Sequence, residues 1–345
     1  MTDNASHKRP KLSDVARAAG VSPATVSRVL NHPGIVRPDL QAKVRKAITK
    51  LGYAPDAVAR ALSLGRSSTI GAVIPTLGMT VFANGTAALQ QRLREHGYTL
   101  LIANSEYDSD RELEEIKVLL ERGVDGLVLV GDMVSSAAVS LAGQYDVPVI
   151  TTYVNESQFA VPAVGIDNAE AMNRVLQMLL DLGHREFGII TDVAPHNDRQ
   201  RARRQGLLTA FDIAGIALAP TRIAEVPYSV TNGRTAFRKL MTMEPEITAV
   251  ICSSDAFAIG ALAESRVLGL SVPRDVSVTG YDDVDMSSHT DPPLTTVNVP
   301  AAMIGRLAAD HIVAALNGWV PPATTKLPTQ IMLRGSSAPP RNTET

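Results

Sequence analysis

One cysteine, Cys252, stands in 345 residues. No disulfide can form within the chain, a structural zinc site built on several thiolates is excluded, and a reducing compartment is the expected setting. Cys252 lies in Ala-Val-Ile-Cys-Ser-Ser, the run of a buried strand, which reads as a small apolar core residue rather than a reactive thiol. Aromatic residues make up only 4% of the chain, so core packing falls to Val, Leu, Ile and Ala. No apolar run reaches membrane-spanning length, and the polar, basic N-terminus has no apolar segment behind it, so neither a span nor a secretory leader is expected. Also missing are Gly-x-Gly-x-x-Gly, a phosphate loop, Gly-x-Ser-x-Gly and a metal-ligand pair at helical spacing. Their absence argues against an enzyme, and no cofactor or metal is expected.

What is present is globular: 45% hydrophobic and 20% charged residues, over a length that fits a small module followed by a larger two-part body. The net charge of −2 hides a division. Residues 1–66 carry twelve Lys or Arg against four Asp or Glu, and the remainder twenty-one against thirty-one. A basic fifth on an acidic body points to a polyanion as the partner of that first module.

The basic stretch has helical grammar. Val15, Ala18 and Ala19 give one apolar face to a short helix that Gly20-Val21-Ser22 ends. Ser22 can cap a second helix, Pro23 suits its first position, and Val26, Val29 and Leu30 turn inward. Ala24, Thr25, Ser27 and Arg28 then face out. Small residues let a helix approach the floor of a major groove, and one guanidinium can pair bidentately with a guanine edge. That is the chemistry of a helix-turn-helix reader. A generic helical hairpin with a solvated arginine accounts for Arg28 alone. It does not account for Leu40, Val44, Ala47, Ile48 and Leu51, which form a third amphipathic helix from Pro38 to a stop at Gly52.

Val15-Ala16, Ala19-Gly20-Val21-Ser22, Ala24-Thr25-Val26-Ser27-Arg28-Val29-Leu30-Asn31, Leu51-Gly52-Tyr53 with Pro55, and Ala59-Arg60-Ala61-Leu62 resemble the DNA-binding head of the lac repressor/gal repressor family. The resemblance implies a DNA-contact set of Ser22, Pro23, Ala24, Thr25, Ser27, Arg28, Asn31, Tyr53, Ala59 and Leu62. There are departures: Lys11 stands where the family usually has a capping threonine, Arg37 where it has a serine, and Asp56 where it has an asparagine near the DNA backbone. The segment from Ala57 to Gly65 has room for two helical turns, too few to be stable alone, and Gly65, Ser67 and Ser68 make a tether. In the family this hinge helix puts a leucine, here Leu62, into the minor groove.

From Thr69 onward strands and helices alternate, which predicts parallel sheets with right-handed crossovers. Strands are expected at Ile70–Ile74, Thr99–Ala103, Gly126–Val130, Val149–Thr152, Phe187–Thr191, Ala249–Cys252, Val276–Gly280 and Lys326–Leu333. Helices are expected at Thr86–His96, Asp110–Arg122, Ala137–Tyr145, Ala171–Leu182, Arg201–Ala214, Ala256–Leu268 and Ala301–Leu316. The pattern runs twice, implying two doubly wound lobes with a cleft at the carboxyl ends of their strands. Leu182-Gly183-His184-Arg185, Gly280-Tyr281-Asp282-Asp283 and Pro292-Pro293-Leu294-Thr295-Thr296 are similar to the family's ligand-binding core, which resembles periplasmic sugar-binding proteins. The resemblance implies three crossings between lobes, near Asp167, Thr295 and Lys326. The expected organisation is a head at 1–57, a hinge at 58–68, a first lobe at 69–167 with 295–325, a second at 168–294 with 326–340, and a tail at 341–345. The tail has no apolar heptads, so a tetramer through a terminal coiled coil is not expected.

Asp282, just past a strand end, can accept hydrogen bonds from vicinal hydroxyls, and by resemblance it is an effector contact, as is Arg203, three residues before Gly206. Capping of the following turn is the alternative for Asp282. Phe82 and Tyr153 offer aromatic surfaces, and Ser254 stands where many relatives have a hydroxyl-binding asparagine. Arg199, Arg201 and Arg204 crowd the same region, and the sequence leaves open which guanidinium turns inward; two inward arginines would suit an anionic ligand such as a sugar acid or phosphate. His184 and His289 read as structural.

The expected function is a ligand-responsive transcriptional regulator, a repressor of carbohydrate-metabolism genes. It binds a palindromic operator as a homodimer in the bacterial cytoplasm, associated with the nucleoid when on DNA, with a sugar, sugar acid or related metabolite in the cleft. The alternative is a small-solute binding protein without regulation, cytoplasmic or serving a transporter, against which the basic head argues.

Overall fold

A computed structural model of the chain describes residues 10–54, 65–132, 136–193 and 197–341. It falls into two compact units, Met1–Ser68 and Thr69–Thr345. The expected hinge helix, with Ala59 and Leu62, and the departure Asp56 lie outside the described residues.

In the first unit, α1 (Leu12–Ala19), α2 (Pro23–Asn31) and α3 (Pro38–Leu51) surround a core of Val15, Ala16, Val26, Val29, Val44 and Ala47. Gly20 and Gly52 end α1 and α3 in the left-handed conformation, at φ 65° and 61°, where a residue without Cβ meets no steric cost. Ala18, expected on the inner face of α1, is exposed; Ala16 takes that place. Lys11 has no acceptor to offer the first turn, so one half of a capping box remains: Asp14 accepts the Lys11 backbone N–H at 2.9 Å.

The second unit holds two six-stranded sheets. The first runs β11 (Thr324–Lys326), β5 (Ala163–Gly165), β4 (Val149–Thr152), β3 (Gly126–Val130), β1 (Thr69–Ile74) and β2 (Thr99–Asn104), all parallel. The second runs β12 (Gln330–Met332), β10 (Thr295–Asn298), β9 (Ser277–Asp282), β8 (Ala249–Cys252), β6 (Phe187–Asp192) and β7 (Ile223–Val226), parallel except for the β10–β12 pair.

The helices alternate with these strands: α4 (Thr80–Glu95), α5 (Ser109–Glu121), α6 (Ser136–Gln144), α7 (Asn168–Asp181), α8 (Asp198–Ile213), α9 (Val230–Met243), α10 (Asp255–Val267) and α11 (Ala301–Leu316). Period-two alternation sends Ile70 and Ala72 into a cluster with Leu89, Leu93, Ile304 and Ile312, and sends Val73, Leu127 and Leu129 into another with Ile116, Leu119 and Ala138. Both faces of the sheet are thus buried, as parallel strands require. Strand order reverses beside β1 and again beside β6, which opens a crevice at the carboxyl ends of each sheet.

Several expectations are corrected. The chain does not cross between sheets near Thr295: Thr295–Asn298 is a strand of the second sheet, and the crossing falls after Asn298. Threonine-rich sequence next to two prolines reads as loop. It becomes a buried strand because the Thr296 hydroxyl donates to Asp255 at 2.6 Å and Ser336 Oγ accepts the Thr295 N–H at 2.8 Å. Lys326–Leu333 is not one strand; β11 and β12 belong to different sheets, and Pro328 between them has no N–H for a ladder. Helix α4 starts at Thr80 rather than Thr86, with Gly85 inside it. Glycine in a helix costs about 1 kcal/mol against alanine, but here it admits the Tyr153 hydroxyl and the backbone of α11. Strands β5, β7 and β10 and helix α9 were not anticipated.

Gly305 of α11 sits directly on Gly85 of α4, and a Cβ there would land on the Gly85 carbonyl oxygen, which is backbone and cannot swing away. Gly305→Ala is therefore expected to destabilise the chain by about 1–3 kcal/mol, the usual range for overpacking, as read from the urea midpoint of the full-length protein. An unchanged midpoint would show that α4 and α11 slide apart at no cost.

Candidate functional site

The carboxyl ends of both sheets meet at a tight cleft, enclosing about 350 Å³ of non-atom space, part of it open to solvent. The chain after β1 brings Met79, Val81 and Phe82; the end of β4 brings Tyr153; the crossing brings Ile166 and Asn168; the start of α8 brings Asn197, Arg199, Gln200 and Arg203; the end of β9 brings Asp282. Four of the five residues singled out from sequence, Phe82, Tyr153, Arg203 and Asp282, lie together here.

Arg203, 7% exposed, is held on three sides. Its Nε donates to Asn168 Oδ1 at 3.0 Å, its Nη1 to the Ser253 carbonyl at 2.9 Å, and its guanidinium lies 3.6 Å from the centroid of the Tyr281 ring. Asn168 receives the Tyr281 hydroxyl at 3.1 Å on the same oxygen and donates to the Tyr153 carbonyl at 3.1 Å. One amide thus joins β4, α8 and β9, its oxygen facing two donors and its nitrogen an acceptor.

Asp282, 5% exposed, has its carboxylate 3.7 Å from Arg203 Nη2, an ion pair longer than a hydrogen bond. Burial pushes its carboxyl up to about 7, against the pull of Arg203. Its φ of 115°, followed by 55° at Asp283, marks a strained turn. Asp255 braces that turn from behind, accepting from Val284 N at 2.9 Å, Ser287 Oγ at 2.6 Å and Thr296 Oγ1. Burial pushes Asp255 up to about 6.

Tyr153 sets its ring edge-on to Phe82 at 5.1 Å and donates its hydroxyl to the Val81 carbonyl at 2.9 Å. The pair forms an aromatic wall. Arg199 faces the Phe82 ring at 5.6 Å and donates to Asp198 at 2.8 Å. Of the crowded arginines, Arg199 and Arg203 turn inward; Arg201 is exposed and Arg204 pairs with Glu225 at 3.1 Å.

Ser254 is not on the cleft wall. It is fully buried as the residue before α10, its hydroxyl finds no partner, and it is the neighbouring Ser253 carbonyl that reaches Arg203. His184 is buried, with Thr248, Ser277 and the Ala338 carbonyl around its ring, a structural clamp; His289 is exposed. Asn168, Asn197 and Gln200 were missed. The signal for them was their place at helix starts, just after Asp167 and around Asp198, where side chains end up beside strand ends.

In the first unit, Ser22 Oγ accepts the Thr25 N–H at 3.1 Å and shares a hydrogen bond with its hydroxyl at 2.9 Å, which fixes the start of α2. Pro23, Ala24 and Arg28 are exposed, Ser27 and Asn31 half-buried and linked side chain to side chain at 3.4 Å, and Tyr53 packs against the core of the unit. The outward face is small residues around one long cation.

Comparison with known proteins agrees with both units. Residues 11–56 match the model of bacterial regulatory proteins of the lacI family, and residues 176–337 that of the periplasmic binding protein-like domain. The ribose operon repressor of Haemophilus influenzae is 34% identical over 304 residues, covering 87% of this chain and 90% of that protein. The transcriptional repressor CytR of Escherichia coli is 31% identical over 331 residues, covering 94% and 96%. Among solved structures, the lac repressor dimer bound to operator and the anti-inducer ONPF has a TM-score of 0.85 at 25% identity, covering 96% of this chain and all of that one. The regulator CelR in complex with cellobiose has a TM-score of 0.70 at 28% identity, covering 95% and 100%. A helix-turn-helix head ahead of a two-lobed binding body defines a ligand-responsive DNA-binding regulator. The chain belongs to the lacI family of transcriptional regulators.

Asp282 leaves a pH signature. Its folded pKa lies above the ordinary carboxylate value, so between about pH 4 and 7 the folded state holds a proton that the unfolded chain has released, and stability falls as pH rises through that window. Glu112, pushed up to about 7 by burial, and Asp255 act in the same sense. His184 and His311, held below the ordinary imidazole range by burial, act oppositely. Asp282→Asn removes one component alone. The full-length variant should be more stable relative to wild type at pH 8 than at pH 5 in paired urea melts; an equal difference at both would show that Asp282 ionises freely.

Proposed function

We propose that this chain represses carbohydrate-metabolism genes by binding a palindromic operator as a homodimer, with its effector held between Phe82 and Tyr153 on one lobe and Arg203 and Asp282 on the other. The observation that carries the reading is the buried Arg203–Asn168–Tyr281–Asp282 assembly at the lobe crossing. A ligand hydroxyl that engages Asp282 must rearrange the Arg203 pair, and Asn168 passes that change to the Tyr153 backbone of the other lobe. To swing a two-state equilibrium nearly completely, the ligand must favour one state by about 5.5 kcal/mol, which a few polar contacts in each subunit can supply. Binding rather than turnover is the task of this cleft, and the cytoplasm, where the chromosome lies, is its place of work.

On DNA, α2 is the recognition helix. Ser22, Pro23, Ala24, Thr25 and Ser27 set the close approach, Arg28 reads a guanine edge, and Asn31 and Tyr53 support the contact with the backbone. Ala59 and Leu62 belong to the hinge that the resemblance places over the central minor groove, where an inserted leucine opens a flexible base step. A solute-binding protein without regulation would have no use for a basic head.

Arg28→Ala should lose about 1–3 kcal/mol per half-site and relax preference at one base position. Fluorescence anisotropy on operator and a binding-site selection measure the two effects. A selection profile unchanged at every position would move base reading to another residue, and wild-type protein that selects no sequence at all would return the chain to the unregulated solute-binding class.

A further inference from the structure

Among the described residues of the head, Ile35 is the one large apolar side chain left in solvent, at 76% exposure. It ends the 3₁₀ turn Pro33–Ile35, which starts from His32, the residue that closes the carboxyl end of α2. A single exposed isoleucine is ordinary on a protein surface, and a loose turn would account for it. This turn is braced. Gln41 of α3 donates its side-chain amide to the Pro33 carbonyl and to the Val36 carbonyl, each at 2.8 Å. The Ile35 N–H goes to the His32 carbonyl at 3.2 Å and the Val36 N–H to the Pro33 carbonyl at 3.0 Å, while the Val36 side chain packs against the core of the unit. With Val36 turned in, Ile35 is held out.

Its surroundings do not suit a protein partner. His32, Pro33, Gly34 and Arg37 are exposed around it and none is a large aliphatic or aromatic residue, so the contiguous apolar patch that a protein interface needs is missing. They do suit a DNA groove. Arg28 precedes the turn and Arg37 follows it, and the exposed start of α2, Pro23 and Ala24, is itself small and apolar. The major groove presents one apolar group at its floor, the C5 methyl of thymine, and the side chains that read it are apolar. Isoleucine is β-branched and stiff at its first torsion, so on a braced turn little freedom is lost when it docks.

We infer that Ile35 is a second base-reading residue of the head, packed on a thymine methyl within about three base pairs of the base that Arg28 reads. This rests on the reading of α2 as the recognition helix. The spacing follows from the backbone. Helix α2 ends at Asn31, less than one turn beyond Arg28, and the next residues fold back onto it, the His32 N–H bonding to the Arg28 carbonyl at 2.8 Å and the Ile35 N–H to the His32 carbonyl. At about 1.5 Å per helical residue, and with a tight turn after it, Ile35 stays within about 10 Å of Arg28, which is about three base-pair steps of 3.4 Å. Arg28 supplies donors for a polar edge, and Ile35 supplies an apolar surface for the one groove atom that no hydrogen bond can recognise.

The test removes that methyl and nothing else. A binding-site selection with the full-length chain gives its preferred duplex, and each thymine of a half-site is then replaced singly by deoxyuridine, which keeps every hydrogen-bonding group. Fluorescence anisotropy should find one position where wild type loses about three- to fivefold in affinity, the worth of one buried methyl. Ile35→Ser should bind the thymine and deoxyuridine duplexes equally and lose its preference at that position in a selection, while keeping the guanine preference that Arg28→Ala relaxes. Ile35→Val, which keeps a branched apolar tip, should retain the discrimination. At the same position 5-methylcytosine should bind wild type more tightly than cytosine, and Ile35→Ser should not tell the two apart. A wild type indifferent to every deoxyuridine overturns the inference without any variant, and so does an Ile35→Ser protein with the wild-type ratio of thymine to deoxyuridine affinity. If Arg28→Ala still relaxes a guanine in that case, α2 remains the reader and only Ile35 is misassigned; a changed sedimentation coefficient with the ratio kept would make Ile35 a contact between proteins. A wild type that selects no sequence at all overturns both readings.

Discussion

A guanidinium buried at the junction of two sheets must be surrounded by acceptors, because an unpaired buried charge costs several kcal/mol. Much of the second unit is arranged around that requirement for Arg203. Asn168 stands at the crossing to give it an oxygen, β8 ends where the Ser253 carbonyl can give another, and Tyr281 offers the face of its ring. Gly206, one turn further along α8, lets the helix come close enough for this, since a Cβ there would strike the Ala169 backbone of α7. The packing of α7 on α8 and the chemistry of the cleft are thus one constraint.

Asp282 depends on buried acceptors and donors behind it in the same way. Its left-handed backbone persists because Asp255 gathers three donors from the segment that follows it and from β10. Gly280 is needed beside it, as a Cβ there would run into the Asp255 carboxylate. The turn carrying the candidate effector carboxylate is therefore supported by buried groups that never reach the cleft, which makes its position rigid while the ring walls of Phe82 and Tyr153 come from the other lobe. The cleft thus sets a braced polar side against an aromatic one.

The head solves a smaller problem with local means. Ser22, Pro23 and two left-handed glycines fix where its helices begin and end, and Val15, Val26, Val29 and Val44 suffice as a core. Lys11 shows the tolerance of that arrangement: a residue unable to accept at the N-cap is offset by Asp14 reaching back to its amide. Sequence spacing read this unit well, with Ala18 and Ala16 exchanged, because a face shift of two positions on an eight-residue helix leaves too little periodicity to fix the inner edge.

The sequence by itself determined the two-lobed alternation and the basic head, because short-range signals such as caps, stops and strand-to-helix periods depend on neighbours along the chain; the family and four residues of the cleft were legible through motifs and residue types at the positions the resemblance marks. Tertiary structure alone decided the rest. It turned Thr295–Asn298 into a strand by supplying Asp255 and Ser336 from about 40 residues away along the chain in either direction. It carried α4 back through Gly85, split β11 from β12, closed Ser254 off from the cleft, and chose Arg199 and Arg203 from among four arginines. For the Thr295–Asn298 strand and for Arg203 the deciding contacts join residues far apart in sequence, and the buried polar or charged group takes its place from the partner that satisfies it.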